Sequence, residues 1–349
     1  MVQYVLYRVF LFNNSKKERL YFMENKAAIA KKREKTQVGI WYSTWYNLGE
    51  NNFWEHGGNN QAVYYRPLLK DGKSFGTYDS LDREQTNFHL KAIADAQIDF
   101  IIMDQTNLVD NPFGGGCINK ASIDTAKAVR EWNLAGNRRI RYCSGIGAYG
   151  TKEDMGHIES EAKLLWERYC EQEWGTEDDH VYIDGKPLFV IFNCLFTEAE
   201  WREYQATHET PYCDRFTIRY STGHVYKGTY GQWGWVMPDG PQINEDVAVM
   251  MPGWYKLHFV LPFVFRERGN SYRNSWKTLL ASDITPNYVV INSFNEYAEH
   301  TAVFTASTHE FPADYPIEGW IDEAGEPAPS LYWDITKEYI AKFKNGDVE

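Results

Sequence analysis

Ile98-Asp99-Phe100-Ile101-Ile102-Met103 is apolar almost throughout and then stops at four polar residues, Asp104-Gln105-Thr106-Asn107. A short run with apolar side chains at odd and even positions alike suits a strand covered on both faces, as in a parallel sheet. The stretch before it has helical spacing. Leu81, Phe88, Ala92 and Ala96 share one face, and Ser80 stands where an N-cap is expected. The alternation recurs in both directions along the chain. Strands are expected over residues 38–42, 98–103, 140–144, 188–192, 216–220, 229–233, 247–251 and 288–291. Helical patterns fall near residues 122–132, 155–171 and 330–343, and Thr197 with Glu200 reads as a capping box. Eight strands with helices between them favour an α/β fold closed as a (β/α)8 TIM barrel. No glycine-rich dinucleotide fingerprint or phosphate-binding loop points to an open doubly wound sheet. The expected organisation is a single barrel domain over residues 37–345, preceded by an extension over residues 1–36 with no assigned fold.

Bulk composition narrows the function. The chain has 349 residues, 43% hydrophobic and 24% charged, an ordinary globular balance. A formal charge of −12 disfavours nucleic acid as a partner. No apolar stretch reaches membrane-spanning length, so no transmembrane segment is expected. The five cysteines include no C-x-x-C pair, which removes the usual zinc and dithiol signals. Aromatic residues make up 16% of the chain, and such rings stack on the flat apolar faces of sugars as well as filling a core. Arg8 breaks the N-terminal apolar run and no small-residue cleavage site follows, so the sequence does not choose between a secreted, periplasmic or cytoplasmic location. Nothing in the sequence sets the oligomeric state.

In a barrel, chemistry is carried at the C-terminal ends of the strands. That rule selects Trp41, Tyr42, Trp45 and Tyr46 after the first strand, Asp104 and Asn107 after the second, and Asn193 after the fourth. It also selects Trp233 and Trp235 at the sixth, Trp254 and Tyr255 after the seventh, and Asn295, Glu296, Glu299 and His300 after the eighth. Rings, amides and carboxylates together suit a glycan, with two carboxyl groups to handle protons at the glycosidic bond. If the chain turns helically after the last strand, Glu296 and Glu299 share a face as i,i+3 neighbours. Two carboxyl groups that close drive their pKa values apart, so one acts as acid while the other acts as base. A solvated acidic helix start would read the same way. Arg266, Arg268 and Arg273 read as surface ion-pair residues, with binding of an acidic sugar as the alternative.

These residues resemble a known family. Ser293-Phe294-Asn295-Glu296-Tyr297-Ala298-Glu299-His300-Thr301 is similar to the S-F-N-E-W-H-E-G-T signature of glycoside hydrolase family 99, the endo-α-mannosidases and endo-α-mannanases, and of its polysaccharide-cluster relatives. Gly76-Thr77-Tyr78-Asp79 resembles the family's G-x-Y-D segment, and Met251-Pro252-Gly253-Trp254 its P-G-W turn. The matches span residues 38–301 in the family's order. The resemblance implies a (β/α)8 barrel that cleaves internal α-glycosidic bonds with no metal and no cofactor. It implies Glu296 as base on the sugar's 2-hydroxyl and Glu299 as acid/base at the leaving oxygen. Tyr297-Ala298 replaces the family's Trp-His, and His300 its glycine, so the expectation is an α-glycan hydrolase rather than a mannanase in particular. A more distant likeness is to the N-D-Y-x-E pattern of family 71 α-1,3-glucanases. A non-catalytic carbohydrate-binding barrel and a glycosyltransferase of polysaccharide assembly are the alternatives.

Overall fold

The computed structural model describes residues 25–49, 52–56, 63–147, 155–171, 179–192, 196, 198–221, 231–235, 240–256, 264–308 and 318–349. Its centre is a run of parallel strands. They are β1 (Gln37–Ser43), β3 (Phe100–Gln105), β4 (Arg141–Gly147), β6 (Lys186–Phe192), β7 (Thr217–Ser221), β9 (Val247–Met250) and β10 (Tyr288–Ile291). Their order is β7-β6-β4-β3-β1-β10-β9. Two short antiparallel strands, β5 (Tyr182–Ile183) and β8 (Gln242–Ile243), lie against β6 and β9. The β5–β6 turn is Asp184-Gly185, both at positive φ, as a two-residue hairpin turn requires. A separate pair, β2 (Tyr65–Pro67) and β11 (Ala306–Thr308), is antiparallel.

Successive strand residues face opposite ways, and this splits the core in two. Trp41, Phe100, Ile102, Cys143, Leu188 and Val190 belong to one cluster, inside the curl of the sheet. Val38, Ile40, Tyr42, Ile101, Met103 and Ile191 belong to the other, together with helix residues such as Leu90 and Trp276. Both faces are covered, as the continuous apolar runs anticipate.

The sheet curls enough to bring its ends together. Arg219 on β7 lies 3.2 Å from Asp246, which leads into β9 at the far end of the ladder path. The expected strand over residues 229–233 is a single parallel bridge, Tyr220 to Gln232. Residues 229 and 230 lie outside the described residues. Among the described residues no ladder joins this segment to β9; side chains span the gap instead. Gln242 Nε2 donates to the Gln232 carbonyl at 2.6 Å and Gln242 Oε1 accepts from Gly234 N at 2.9 Å.

The helices are α1 (residues 25–33), α2 (Phe53–His56), α3 (Arg83–Asp95), α4 (Phe113–Leu134), α5 (Met155–Leu165), α6 (Glu198–Thr207), α7 (Asn270–Leu280) and α8 (Leu331–Lys344). Helix α3 is capped by Asp82, whose carboxylate accepts from Glu84 N and Gln85 N, and not by Ser80. Ser80 instead binds the chain after β1: its Oγ accepts from Tyr46 N at 3.1 Å. Helix α5 gives way to a π-helical turn over Trp166–Cys170, so the expected single helix to residue 171 is two pieces. From the N-terminal extension, Arg33 donates to the carbonyls of Leu280 at 3.0 Å and Asp347 at 2.7 Å. No helix among the described residues is long and apolar enough to cross a membrane.

Glycine makes room for an interior indole. A Cβ on Gly145 would stand 2.2 Å from the Trp41 ring. Gly145→Ala is therefore expected to lower unfolding stability by about 1–3 kcal/mol through overpacking. Denaturant unfolding of the variant beside the wild type measures this, and equal midpoints would contradict the packing described.

Candidate active site

The site forms where β1, β3 and β10 end. After β10 the chain does not enter the expected helix. Asn292–Thr301 is a compact loop closed by Ser293 N to Thr301 O at 3.0 Å and Val303 N to Ser293 O at 2.9 Å. Phe294 N donates to Trp41 O at 2.8 Å, tying the loop to β1. The Asn292–Ser293 peptide is cis. The reason for a loop is local hydrogen bonding that competes with a helix. Glu296 N is taken by the Ser293 hydroxyl at 2.9 Å. Glu296 Oε1 then accepts from Ala298 N at 2.7 Å and Glu299 N at 3.0 Å. The Glu296 carboxyl thus shapes the turn that carries Glu299.

Glu299 sits at the mouth, its side chain 20% exposed, and is surrounded by donors. Oε2 accepts from Trp254 Nε1 at 2.9 Å and Trp235 Nε1 at 3.1 Å, while Oε1 accepts from Lys256 Nζ at 3.0 Å. Trp235 in turn meets Trp41 edge-on, ring centroids 5.3 Å apart. Glu296 is buried, and among the described residues no cation lies against it. Burial first, then the Glu299 charge, raises its carboxyl well above the usual range. Asp104, at the end of β3, is pushed up to about 7 by burial, with the Glu299 charge adding; its bonds to Thr106 N at 3.1 Å and Thr106 Oγ1 at 2.7 Å oppose the rise.

The remaining expected residues divide into groups. Trp41, Asp104, Trp254, Tyr255, Glu296 and Glu299 come together at the strand ends, with Tyr255 N donating to Glu299 O at 3.1 Å. Asn295 and Tyr46 support the loop from behind. The Asn295 amide accepts from Ser43 N at 2.7 Å and donates to Ser43 O and the Tyr78 hydroxyl, both at 2.9 Å. The Tyr46 hydroxyl donates to Asn295 O at 2.7 Å and its ring stacks on Trp54. Trp45 is buried against Phe53. His300 is 4% exposed behind the loop, bonded to the Tyr65 hydroxyl at 3.0 Å; burial first and then Arg266 hold it well below the usual imidazole range, hence neutral.

Three expectations fall away from the site. Tyr42 occupies the outward register and pairs with His89 Nδ1 at 2.9 Å, because Trp41 takes the inward position. Trp233 lies lower in the interior, bonded to Asp246 at 2.9 Å and packed on Tyr288; Trp235, two residues on, reaches Glu299. Asn107 is exposed, past the turn that Asp104 and Thr106 make. Asn193 lies outside the described residues. Among the described residues no group of three or more His, Cys, Asp or Glu is arranged to hold a metal ion. Lys256 is the site residue that sequence reasoning missed. Its signal was its place directly after Trp254-Tyr255.

No family model and no curated protein matches the chain. Solved structures do. The GH99 endo-α-mannosidase from Bacteroides thetaiotaomicron in complex with bis-tris-propane is similar over 89% of this chain and 98% of that one, at 17% identity and a TM-score of 0.59. A second structure of the GH99 endo-α-mannosidase from that organism covers the same shares at 15% identity and a TM-score of 0.54. The fold is GH99-like. At such identities the likeness is of fold, and it agrees with the resemblance carried by residues 293–301.

The Asp104 carboxyl gives a pH test. Its folded pKa lies above the ordinary aspartate value, so its stabilising share is whole below about pH 4 and is lost as pH rises through about 7. Asn accepts the same Thr106 bonds without ionising. Melting temperatures of Asp104→Asn and wild type should therefore diverge between pH 4 and 8, the variant gaining relative to wild type as pH rises. A constant difference across that range would show that Asp104 does not titrate there.

Proposed function

We propose that the chain is a glycoside hydrolase cleaving α-linked poly- or oligosaccharide, endo-acting, in a (β/α)8 barrel over residues 37–345, with Glu296 and Glu299 as its catalytic carboxyl groups. The observation that carries this reading is the unequal treatment of the two. One is buried, its carboxyl raised well above the usual range by burial and by the other's charge; the other, three residues on, is ringed by two indole N–H groups and an ammonium. Two adjacent carboxyl groups in opposed environments are what acid–base cleavage of a glycosidic bond uses. One protonates the glycosidic oxygen while the other takes the proton of the hydroxyl that attacks C1. Trp235, Trp254 and Tyr255, beside Glu299, are the rings that a sugar would meet, with Trp41 packed behind Trp235, and a protonated Asp104 offers an O–H donor to a sugar hydroxyl. The GH99-like fold supports the substrate class.

Reducing-end release from α-mannans, α-glucans and bacterial α-linked polysaccharides tests the proposal. Wild type should cleave at least one. Glu296→Gln and Glu299→Gln should each lower the rate by about 10²–10⁴-fold while melting like wild type. Glycan binding without cleavage would make this a carbohydrate-binding barrel, and cleavage surviving both substitutions would move the active site elsewhere.

A further inference from the structure

Trp235 reaches Glu299 from a short segment, residues 231–235, that among the described residues is bonded through backbone on one edge only. That edge meets β7: Tyr220 N donates to Gly231 O at 2.9 Å and Trp233 N donates to Tyr220 O at 2.6 Å. Successive residues of an extended chain turn their N–H and C=O groups to opposite edges, so those of Gln232 and Gly234 face away from β7. On that second edge the partner is a side chain. Gln242, on β8 and 4% exposed, donates from Nε2 to Gln232 O at 2.6 Å and accepts on Oε1 from Gly234 N at 2.9 Å. In a parallel ladder one residue of the neighbouring strand makes this same pair of bonds, to a C=O and to the N–H two residues on. The Gln242 amide, with a donor and an acceptor at one tip, supplies them instead. Two more side chains hold the ends of the segment. Asp246 accepts from Gly231 N at 3.2 Å and from Trp233 Nε1 at 2.9 Å, and Asn292 Nδ2 donates to Gly234 O and Trp235 O, both at 2.9 Å.

Register decides where Trp235 points. Trp233 and Trp235 both lie in the inner cluster. An extended chain rises about 3.3 Å per residue and its side chains alternate in direction, so a slip of one residue moves the indole by about that distance and turns it out of the interior. The Trp235 N–H donates to Glu299 Oε2 at 3.1 Å, a bond that such a slip breaks. We propose that Gln242 is a positioning residue for the proposed cleavage: its amide sets the register of residues 231–235 and so holds the Trp235 N–H against Glu299. The effect on rate rests on the hydrolase reading; the effect on register does not. Trp254, the other indole on Glu299, is fixed independently, its backbone exchanging bonds with Val264 at 3.0 and 3.2 Å. The two indoles therefore separate a change in residues 231–235 from a general loosening of the site.

The first test needs no glycan. In the full chain labelled with ¹⁵N at tryptophan, the Trp235 indole N–H signal is identified by its loss in Trp235→Phe. In Gln242→Met that signal should shift and exchange with solvent about 10-fold faster or more, while the Trp254 signal stays in place. An unmoved Trp235 signal, or both indoles shifting together, would overturn the proposal. Wild type alone gives a second measurement, which stands even if the variant does not fold. Its Gly234 amide, bonded to the Gln242 side chain, should exchange as slowly as the ladder amides of β9, and exchange at the rate of an open loop would contradict the register argued here. Where cleavage is measured, Gln242→Met and Trp235→Phe should each lower kcat by about 10–100-fold with KM little changed. The double variant should be no slower than the slower single one, because both act through one bond. Losses that multiply would mean that Gln242 braces the barrel without acting through Trp235. If wild type cuts no glycan, the hydrolase reading fails while the indole and amide signals still decide the register.

Discussion

Asp104, Glu296 and Glu299 share one end of the sheet, and among the described residues the only cation touching any of them is Lys256. Taking several carboxylates out of water with so little counter-charge is costly, and proteins meet that cost by neutralising some of them. The site is arranged to decide which. Glu299 receives the ammonium and two indoles. Asp104 and Glu296 receive hydroxyl or backbone donors, and burial raises both carboxyl groups above their usual range. The chemistry proposed for the pair depends on this imbalance, and so does the layout of the residues behind it.

That layout explains much of the aromatic content. Tyr46, Trp54, Tyr65, Tyr78 and Tyr297 pack behind the loop after β10, and their hydroxyls, where bonded, serve it directly: Tyr46 through Asn295 and Tyr297 N, Tyr65 through His300. Arg266 is not a surface ion-pair residue. It is buried between the rings of Trp320 and Tyr332 and donates to the Ala302 carbonyl at 3.1 Å, closing the far side of the loop. A loop held by buried rings and side-chain amides keeps two carboxyl groups in fixed relation without a helix to present them.

The strands were legible because burial on both faces leaves an unbroken apolar run, and seven of the eight expected runs are parallel strands of one sheet. The eighth, ending at Trp233, was harder because its contact with β7 is a single bridge. Proximity to a strand end also picked the Glu pair. What it could not resolve was direction: Trp41 and Tyr42 are adjacent but face opposite sides, and so does the choice between Trp233 and Trp235 turn on how far the chain has climbed. The helix expected around Glu296 failed because a side chain that binds the next two N–H groups looks, in sequence, like any helix-start glutamate. Lys256 escaped notice because its one signal, its place after two aromatics, is a weak one for a lone lysine.

The most direct test is a crystal structure of the Glu299→Gln variant with an α-linked oligosaccharide that the wild type cuts. The account predicts the scissile bond within about 2.6–3.2 Å of the side chain at position 296 or 299, with sugar rings against Trp254 or Tyr255. An oligosaccharide seated away from the ends of β3 and β10, with no glycosidic bond near positions 296 and 299, would contradict it.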